Sequence, residues 1–356
     1  MKIGIIGLPG SGKSTLFDLL TGSFGGPDYR QAPNKPRVKT VRVEDSRLTR
    51  LREDYQPKKF TPASVEILDF PAVSGGKEDR TGLADLLQPA REMDALLFVL
   101  RDFPNPALPG GEGVDPVRDL NEVRGELILS DLVIAERRLE KLAEKSRKPT
   151  YTDEDRKERE LLVSVKEHLE SEKSVVELGL SAEEQKRLSG FAFLSGKPCV
   201  PVLSGERGVV PQSDLDPVLA LSGGDVVAIP ARNELEILQL PEADREAFLA
   251  EYGIKEFRGD SVIGAAYRAA GLISFFTAGD KDVRAWTIPV GTAAPQAAGA
   301  IHTDFERGFI RAEVVSYEDY IELGGIKGAK EKGHYRLEGR GYEVRDADIV
   351  EFRFSV

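Results

Sequence analysis

Apolar positions fall into short continuous runs near the start of the chain and give way to helical stripes in its middle. Ile3, Ile5 and Ile6 form a β-branched run of the kind a buried parallel strand carries. Leu16, Phe17, Leu19 and Leu20 then continue as a helix. Two further strands are predicted, Ser64–Asp69, which ends in a carboxylate, and 96–100. Residues 198–203 (PCVPVL) and 225–230 (DVVAIP) supply the last two strands of the same sheet. Strands alternating with helices in this way describe an α/β fold with a doubly wound, mostly parallel sheet.

Between those strands the period changes. Leu120, Val123, Leu127 and Ile134 keep one helical face, and Ala135, Leu139 and Leu142 extend it. A polar turn over 145–152 follows, Thr152-x-x-Asp155 has the form of a capping box, and Leu161, Val165 and Leu169 make the returning stripe. The pattern predicts an antiparallel helical hairpin, a short coiled coil, inserted at 115–190. Its stripe is most simply its own seam rather than a groove for a partner. Ser181-x-x-Glu184 opens another helix, and helices are expected over 243–252 and 261–272. From 273 onward, short strands at 283–290, 308–315, 343–344 and 349–354, with a helix at 319–323, suit a small β-grasp domain over 273–356. The expected division is therefore 1–114 and 191–272 for the α/β domain, split by the hairpin, followed by the small mixed domain.

The chemistry sits where the first strand meets the first helix. Gly7-Leu8-Pro9-Gly10-Ser11-Gly12-Lys13-Ser14 fits the phosphate-loop pattern G-x-x-x-x-G-K-[ST], and Thr15 follows. Glycines let the backbone turn tightly round an anion, and backbone N–H groups at the helix start then face it. Lys13 is placed to reach β- and γ-phosphates, and the Ser14 hydroxyl to bind Mg²⁺. Asp69, at the end of its strand, is where such proteins keep the acid that holds the metal. Residues 22–36 and 71–82 are loops that suit nucleotide-sensing switches.

Composition narrows the setting. A net charge of -11 over 356 residues argues against nucleic acid binding all over the surface, and DNA is not expected. Between Arg30 and Lys59, however, ten Lys/Arg face four Asp/Glu. That excess is either a solvated face or a docking patch for RNA. The single cysteine, Cys199, suits a reducing cytoplasm. No apolar run approaches the roughly 20 residues of a membrane span, and the N-terminus lacks the form of a signal peptide. The three histidines, His168, His302 and His334, are scattered, so no zinc site is expected. Trp286 is read as core rather than as a base-stacking platform.

Taken together, these stretches resemble the YchF branch of the Obg-like P-loop NTPases over essentially the full length. The likeness is most specific at 275–279 (FFTAG), 284–287 (RAWT) and 294–314 (APQAAGAIHTDFERGFIRAEV), which match the family's ubiquitin-like TGS domain. The resemblance implies a nucleotide-hydrolysing domain with a preference for ATP over GTP and binding to ribosomes or RNA, as a switch that uses Mg²⁺. Slow intrinsic turnover of ATP or GTP is expected from Val73 and from the missing first-switch threonine. The departures lie in the nucleotide site. The family's loop GLPNVGKST reads GLPGSGKST here, with Gly10 and Ser11 replacing Asn and Val. The family's first-switch threonine aligns with Pro33, and Thr40, seven residues on, is a poor substitute. The motif Asp-x-Ala-Gly-Leu reads Asp69-Phe70-Pro71-Ala72-Val73. The base-reading Asn-x-x-Glu becomes Ser204-Gly205-Glu206-Arg207, in which Ser204 and, with a one-residue shift, Glu206 take those places. The last base-side loop keeps Ala231 and Glu234. Two rival functions remain open at this point: a nucleotide-holding ribosome or RNA binder without useful hydrolysis, and a P-loop small-molecule kinase.

Overall fold

The computed structural model describes residues 1–24, 36–71, 87–106 and 113–355. The chain forms two compact units, each assembled from separate stretches: 1–40 with 66–269, and 41–65 with 270–356.

The first unit is built on β1 (Lys2–Ile6), β2 (Arg37–Arg42), β4 (Ser64–Asp69), β5 (Ala95–Asp102), β6 (Cys199–Gly205) and β7 (Val227–Ile229), while β3 (Lys59–Thr61) belongs to the other sheet. The strand order is β2-β4-β1-β5-β6-β7, with β4, β1, β5, β6 and β7 mutually parallel. β1 is central, paired on both sides, so Ile3, Ile5 and Ile6 are fully buried. Ligands of open parallel sheets bind beyond the carboxyl ends of the strands. That is where the chain leaves β1, turns through 7–12 and enters helix α1 (Lys13–Thr21).

Helix α3 (Pro116–Lys145) is 30 residues, about 45 Å, and serves two cores. Leu120, Val123 and Leu127 pack on the sheet with Phe98, Leu100 and Leu203. Further along, Ile128, Leu132, Ala135 and Leu142 pack with Leu162, Val165 and Leu169 of α4 (Asp153–Glu170). Ion pairs Lys145–Asp155, Arg138–Glu158 and Lys166–Glu136 fix the two helices antiparallel. Thr152 and Asp155 make a reciprocal capping box at the start of α4. The first turns of α3, assigned by sequence to the insertion, thus belong to the core of the α/β unit.

The second unit contains β8 (Leu272–Ala278), β9 (Asp282–Pro289), β10 (Phe309–Val315), β11 (Arg336–Glu338) and β12 (Ile349–Phe354) in the mixed order β11-β10-β12-β8-β9-β3. One face carries the helix Ala294–Ile301, whose Ala294, Ala297 and Ala298 let it approach Phe275, Ile288 and Val350 closely. The other face is covered by α2 (Ser46–Tyr55) through Leu48 and Leu51 against Phe276, Val315 and Ile349. Residues 41–65, placed by the sequence division within the first 114, therefore pack with the C-terminal strands. The reason is physical: two leucines three apart are too short a stripe to show a partner, and that partner is more than 200 residues away in sequence. Among the described residues, no helix is long and apolar enough to cross a membrane.

Candidate nucleotide site

The turn after β1 depends on two glycines with left-handed backbone, Gly10 at φ +68° and Gly12 at φ +97°. Space is as restrictive as angle. A Cβ on Gly7 would lie 2.6 Å from the Val99 carbonyl, and one on Gly12 would lie 2.8 Å from the Ser204 Oγ. α1 starts without a side-chain cap, which leaves the first backbone N–H groups of Lys13, Ser14 and Thr15 directed at the cradle. Ser11 Oγ is buried beside them and has no partner among the described residues.

Lys13 is only 7% exposed, and its ammonium donates to the Leu8 carbonyl at 2.8 Å. Burial pushes its pKa down to about 8, against the pull of Asp69 in the other direction. Asp69 is buried too, and desolvation raises its pKa, opposed by Arg37, Lys13 and Ser14. Ser14 Oγ donates to Asp69 Oδ2 at 3.3 Å, while Asp69 Oδ1 is buried without a partner among the described residues. A hydroxyl and a carboxylate with open acceptor capacity, beside a phosphate cradle, are the donor set Mg²⁺ takes when phosphates complete its shell. The residues present fit that ion.

The structure brings a further residue into this cluster. Arg37, at the start of β2, donates to Asp69 Oδ2 from Nε at 3.1 Å and from Nη2 at 2.6 Å. Its Nη1 reaches Asp18 Oδ1 at 2.9 Å, its Nη2 the Ser14 carbonyl at 3.4 Å, and its guanidinium lies 4.2 Å from the Phe17 ring centroid. Sequence reasoning passed over Arg37 except as one charge in the basic stretch 30–59. In that stretch Arg47 pairs with Asp45 and Asp346, Arg50 with Asp54, and Arg52 lies over Phe60, so much of the excess is internally committed.

The base-side candidates part company. Ser204 is buried at the end of β6 against Gly12, and so beside the phosphate loop. Glu206 is exposed, and its carbonyl accepts from Asn233 Nδ2 at 3.1 Å. Arg207 is held by Asp102 and Asp214. Ala231 is fully buried at the first turn of the helix Ala231–Leu238. Glu234 turns inward: both carboxylate oxygens accept from the Arg258 N–H, at 3.1 and 3.0 Å, and burial pushes its pKa up to about 7. Pro33, Ala72 and Val73, the switch positions, lie outside the described residues. His302 caps the helix Thr303–Arg307, accepting from the Asp304 N–H, and Trp286 donates to Thr277 Oγ1 with Arg284 over its ring.

A central parallel strand running into a glycine-shaped loop with a buried lysine defines the class: a P-loop protein of the GTPase fold. Residues 2–150 match the family described as 50S ribosome-binding GTPase, and 272–355 match the YchF-GTPase C-terminal family, described as a protein of unknown function. The chain is 38% identical to the Ribosome-binding ATPase YchF of Bacillus subtilis (strain 168), covering all of both chains. It is 35% identical to Obg-like ATPase 1 of Caenorhabditis elegans, covering all of this chain and 92% of that one. The solved Schizosaccharomyces pombe YchF GTPase superposes with a TM-score of 0.79 at 27% identity, over 99% of this chain and 97% of that one. This chain belongs to the YchF family.

Proposed function

We propose that the chain binds ATP or GTP with Mg²⁺ at residues 7–15 and hydrolyses it slowly, as a switch acting on the ribosome or its RNA in the cytoplasm. The observation that carries the nucleotide reading is Lys13, a buried ammonium inside a glycine cradle beside Ser14 and Asp69. Such a lysine is costly to bury unless an anion comes to meet it. In this reading Gly7, Pro9, Gly10, Ser11, Gly12 and Thr15 shape or line the cradle, and Lys13 contacts β- and γ-phosphate oxygens. Ser14 and Asp69 would hold Mg²⁺, which when bound neutralises charge on those oxygens. Ser204, Glu206 and Ala231 are read as the residues on the side of the base. The loss of an amide at Ser204 supports weak discrimination between adenine and guanine. The names of the relatives, ribosome-binding ATPase YchF among them, support ATP and a ribosomal partner. We further infer that 115–190 works as a coiled-coil projection and that the C-terminal strands form a TGS-type β-grasp domain.

The test is a titration of the full chain with ATP and with GTP in Mg²⁺, beside Lys13→Ala, followed by phosphate release with and without ribosomes. Saturable binding lost in Lys13→Ala, with release slow alone and faster with ribosomes, is the expected result. Equal binding by Lys13→Ala would falsify the site. A second reading, nucleotide binding without hydrolysis, is favoured by one observation: Asp69 Oδ2 is already held by Arg37. Binding with no release even on ribosomes would select it.

A further inference from the structure

Arg37 has no place in the phosphate-loop pattern, yet it is the most heavily engaged cation at the site. Two of its nitrogens converge on one carboxylate oxygen, Asp69 Oδ2, which is also the oxygen that the Ser14 hydroxyl meets. A third nitrogen holds Asp18, and the planar group stacks over Phe17, so the guanidinium is fixed from several sides. The positive charge therefore lies where Ser14 and Asp69 would present their oxygens to a divalent cation.

We propose that Arg37 is a built-in stand-in for the nucleotide's metal. It neutralises Asp69 and Asp18 while no divalent cation is bound, and it leaves Asp69 when one enters. The proposal rests on the reading of Ser14 and Asp69 as the metal-holding pair. The physical argument is charge balance in a buried place. Asp69 is largely desolvated, and a buried carboxylate is costly unless it is both charge-compensated and hydrogen-bonded; Lys13 acts on it electrostatically, and Arg37 is the cation that bonds it directly. Arg37 and a divalent ion on the same oxygen would repel at short range. Metal binding therefore has to break the Arg37–Asp69 pair, and metal affinity is reduced by whatever that pair contributes. The residue sets how strongly nucleotide affinity depends on Mg²⁺, rather than taking part in bond cleavage. It is a positioning residue for Asp69.

The experiment measures the affinity of the full chain for a fluorescent N-methylanthraniloyl ADP, once in Mg²⁺ and once in EDTA. The quantity read is the ratio of the two dissociation constants. Arg37→Gln removes the competitor and is expected to raise the Mg²⁺ dependence about tenfold, the scale on which single ion pairs move affinities. Arg37→Lys keeps a charge without the fork and should fall between. A second readout is thermal: with saturating ADP present, MgCl₂, against NaCl at equal ionic strength, should raise the melting temperature of Arg37→Gln more than that of the unaltered chain. If the unaltered chain shows Mg²⁺-dependent binding but both substitutions leave the ratio and the melting shift unchanged, the metal uses Asp69 Oδ1 while Arg37 stays on Oδ2, and the proposal is wrong. If the unaltered chain shows no Mg²⁺ dependence, or Ser14→Ala retains it in full, the metal-site reading itself fails and takes this one with it.

Discussion

At the scale of single residues, Lys13 turns burial into a pH signature. Its folded pKa is about 8 against an ordinary 10.5, so between those values the unfolded chain holds more protons than the folded one. Stability of the nucleotide-free protein should therefore rise with pH across that window, as the buried ammonium is relieved of its charge. A bound polyphosphate has the opposite effect and restores the charge. Affinity for ATP should be flat below about pH 7.5 and fall on going to about pH 9.5, with proton uptake on binding. Calorimetry in two buffers of different ionisation enthalpy checks this, and Lys13→Met should abolish the uptake. Gly12 gives a separate prediction. An alanine there meets both a left-handed φ and the Ser204 hydroxyl. A loss of about 1–3 kcal/mol is expected from the urea midpoint, of which Ser204→Gly in the same chain recovers only the steric part. The cradle was readable from sequence because its constraints are local, eight residues meeting one anion. Arg37 was not, because its partners Asp18 and Asp69 lie 19 and 32 residues away and nothing in the spacing links them.

At the scale of elements, α3 shows where a hydrophobic stripe informs and where it misleads. The stripe correctly marks which side of the helix is buried. It does not reveal that the helix passes from one core to another, because both cores want leucine and valine at the same period. The junction is marked by a polar residue instead. Asp131, fully buried, pairs with Arg91 at 2.7 Å and accepts from the N–H groups of Leu194 and Ser195 and from the Ser195 hydroxyl. Every acceptor site on this carboxylate is used, so it stays charged only as part of the set. Asp131→Ala strands the buried Arg91 and should cost about 3–5 kcal/mol. Leu162→Ala in the seam beyond should cost about 2–5 kcal/mol by cavity formation. Urea unfolding distinguishes the two mechanisms. Shared replacement of Arg91 and Asp131 by apolar residues should recover only the part of the first loss that comes from the stranded Arg91, since the N–H groups of Leu194 and Ser195 stay unpaired, whereas no polar exchange repairs the second. Ser130 and Asp131, both fully buried, make the joint between the two cores.

At the scale of the whole molecule, the strands at the C-terminus do not make a complete domain from their own sequence. Leu48, Leu51 and Ala63 sit in one core with Phe276, Val283, Ala285, Val315, Tyr320 and Ile349, and β3 adds the parallel edge strand beside β9. Asp54 accepts from the Tyr320 hydroxyl, and Arg47 pairs with Asp346 at 2.6 Å. Burying the two leucines contributes roughly 3–6 kcal/mol together. A unit of this size has a total stability of only about 5–15 kcal/mol, with small domains at the low end. The fragment that sequence boundaries recommend, 273–356, leaves out that whole contribution and exposes an apolar sheet face and an unpaired strand edge. It is expected to bind a hydrophobic dye and to melt without a cooperative transition. The same strands from 270 onward, joined through a flexible Gly/Ser linker to residues 41–65, should melt cooperatively and lose dye binding. Circular dichroism melts of the two polypeptides decide it. A 273–356 fragment as cooperative and as stable as the joined one would mean that α2 and β3 rest on a finished fold. Loss of cooperativity would mean that the chain's second unit cannot form until a segment more than 200 residues earlier in the sequence has been placed on it.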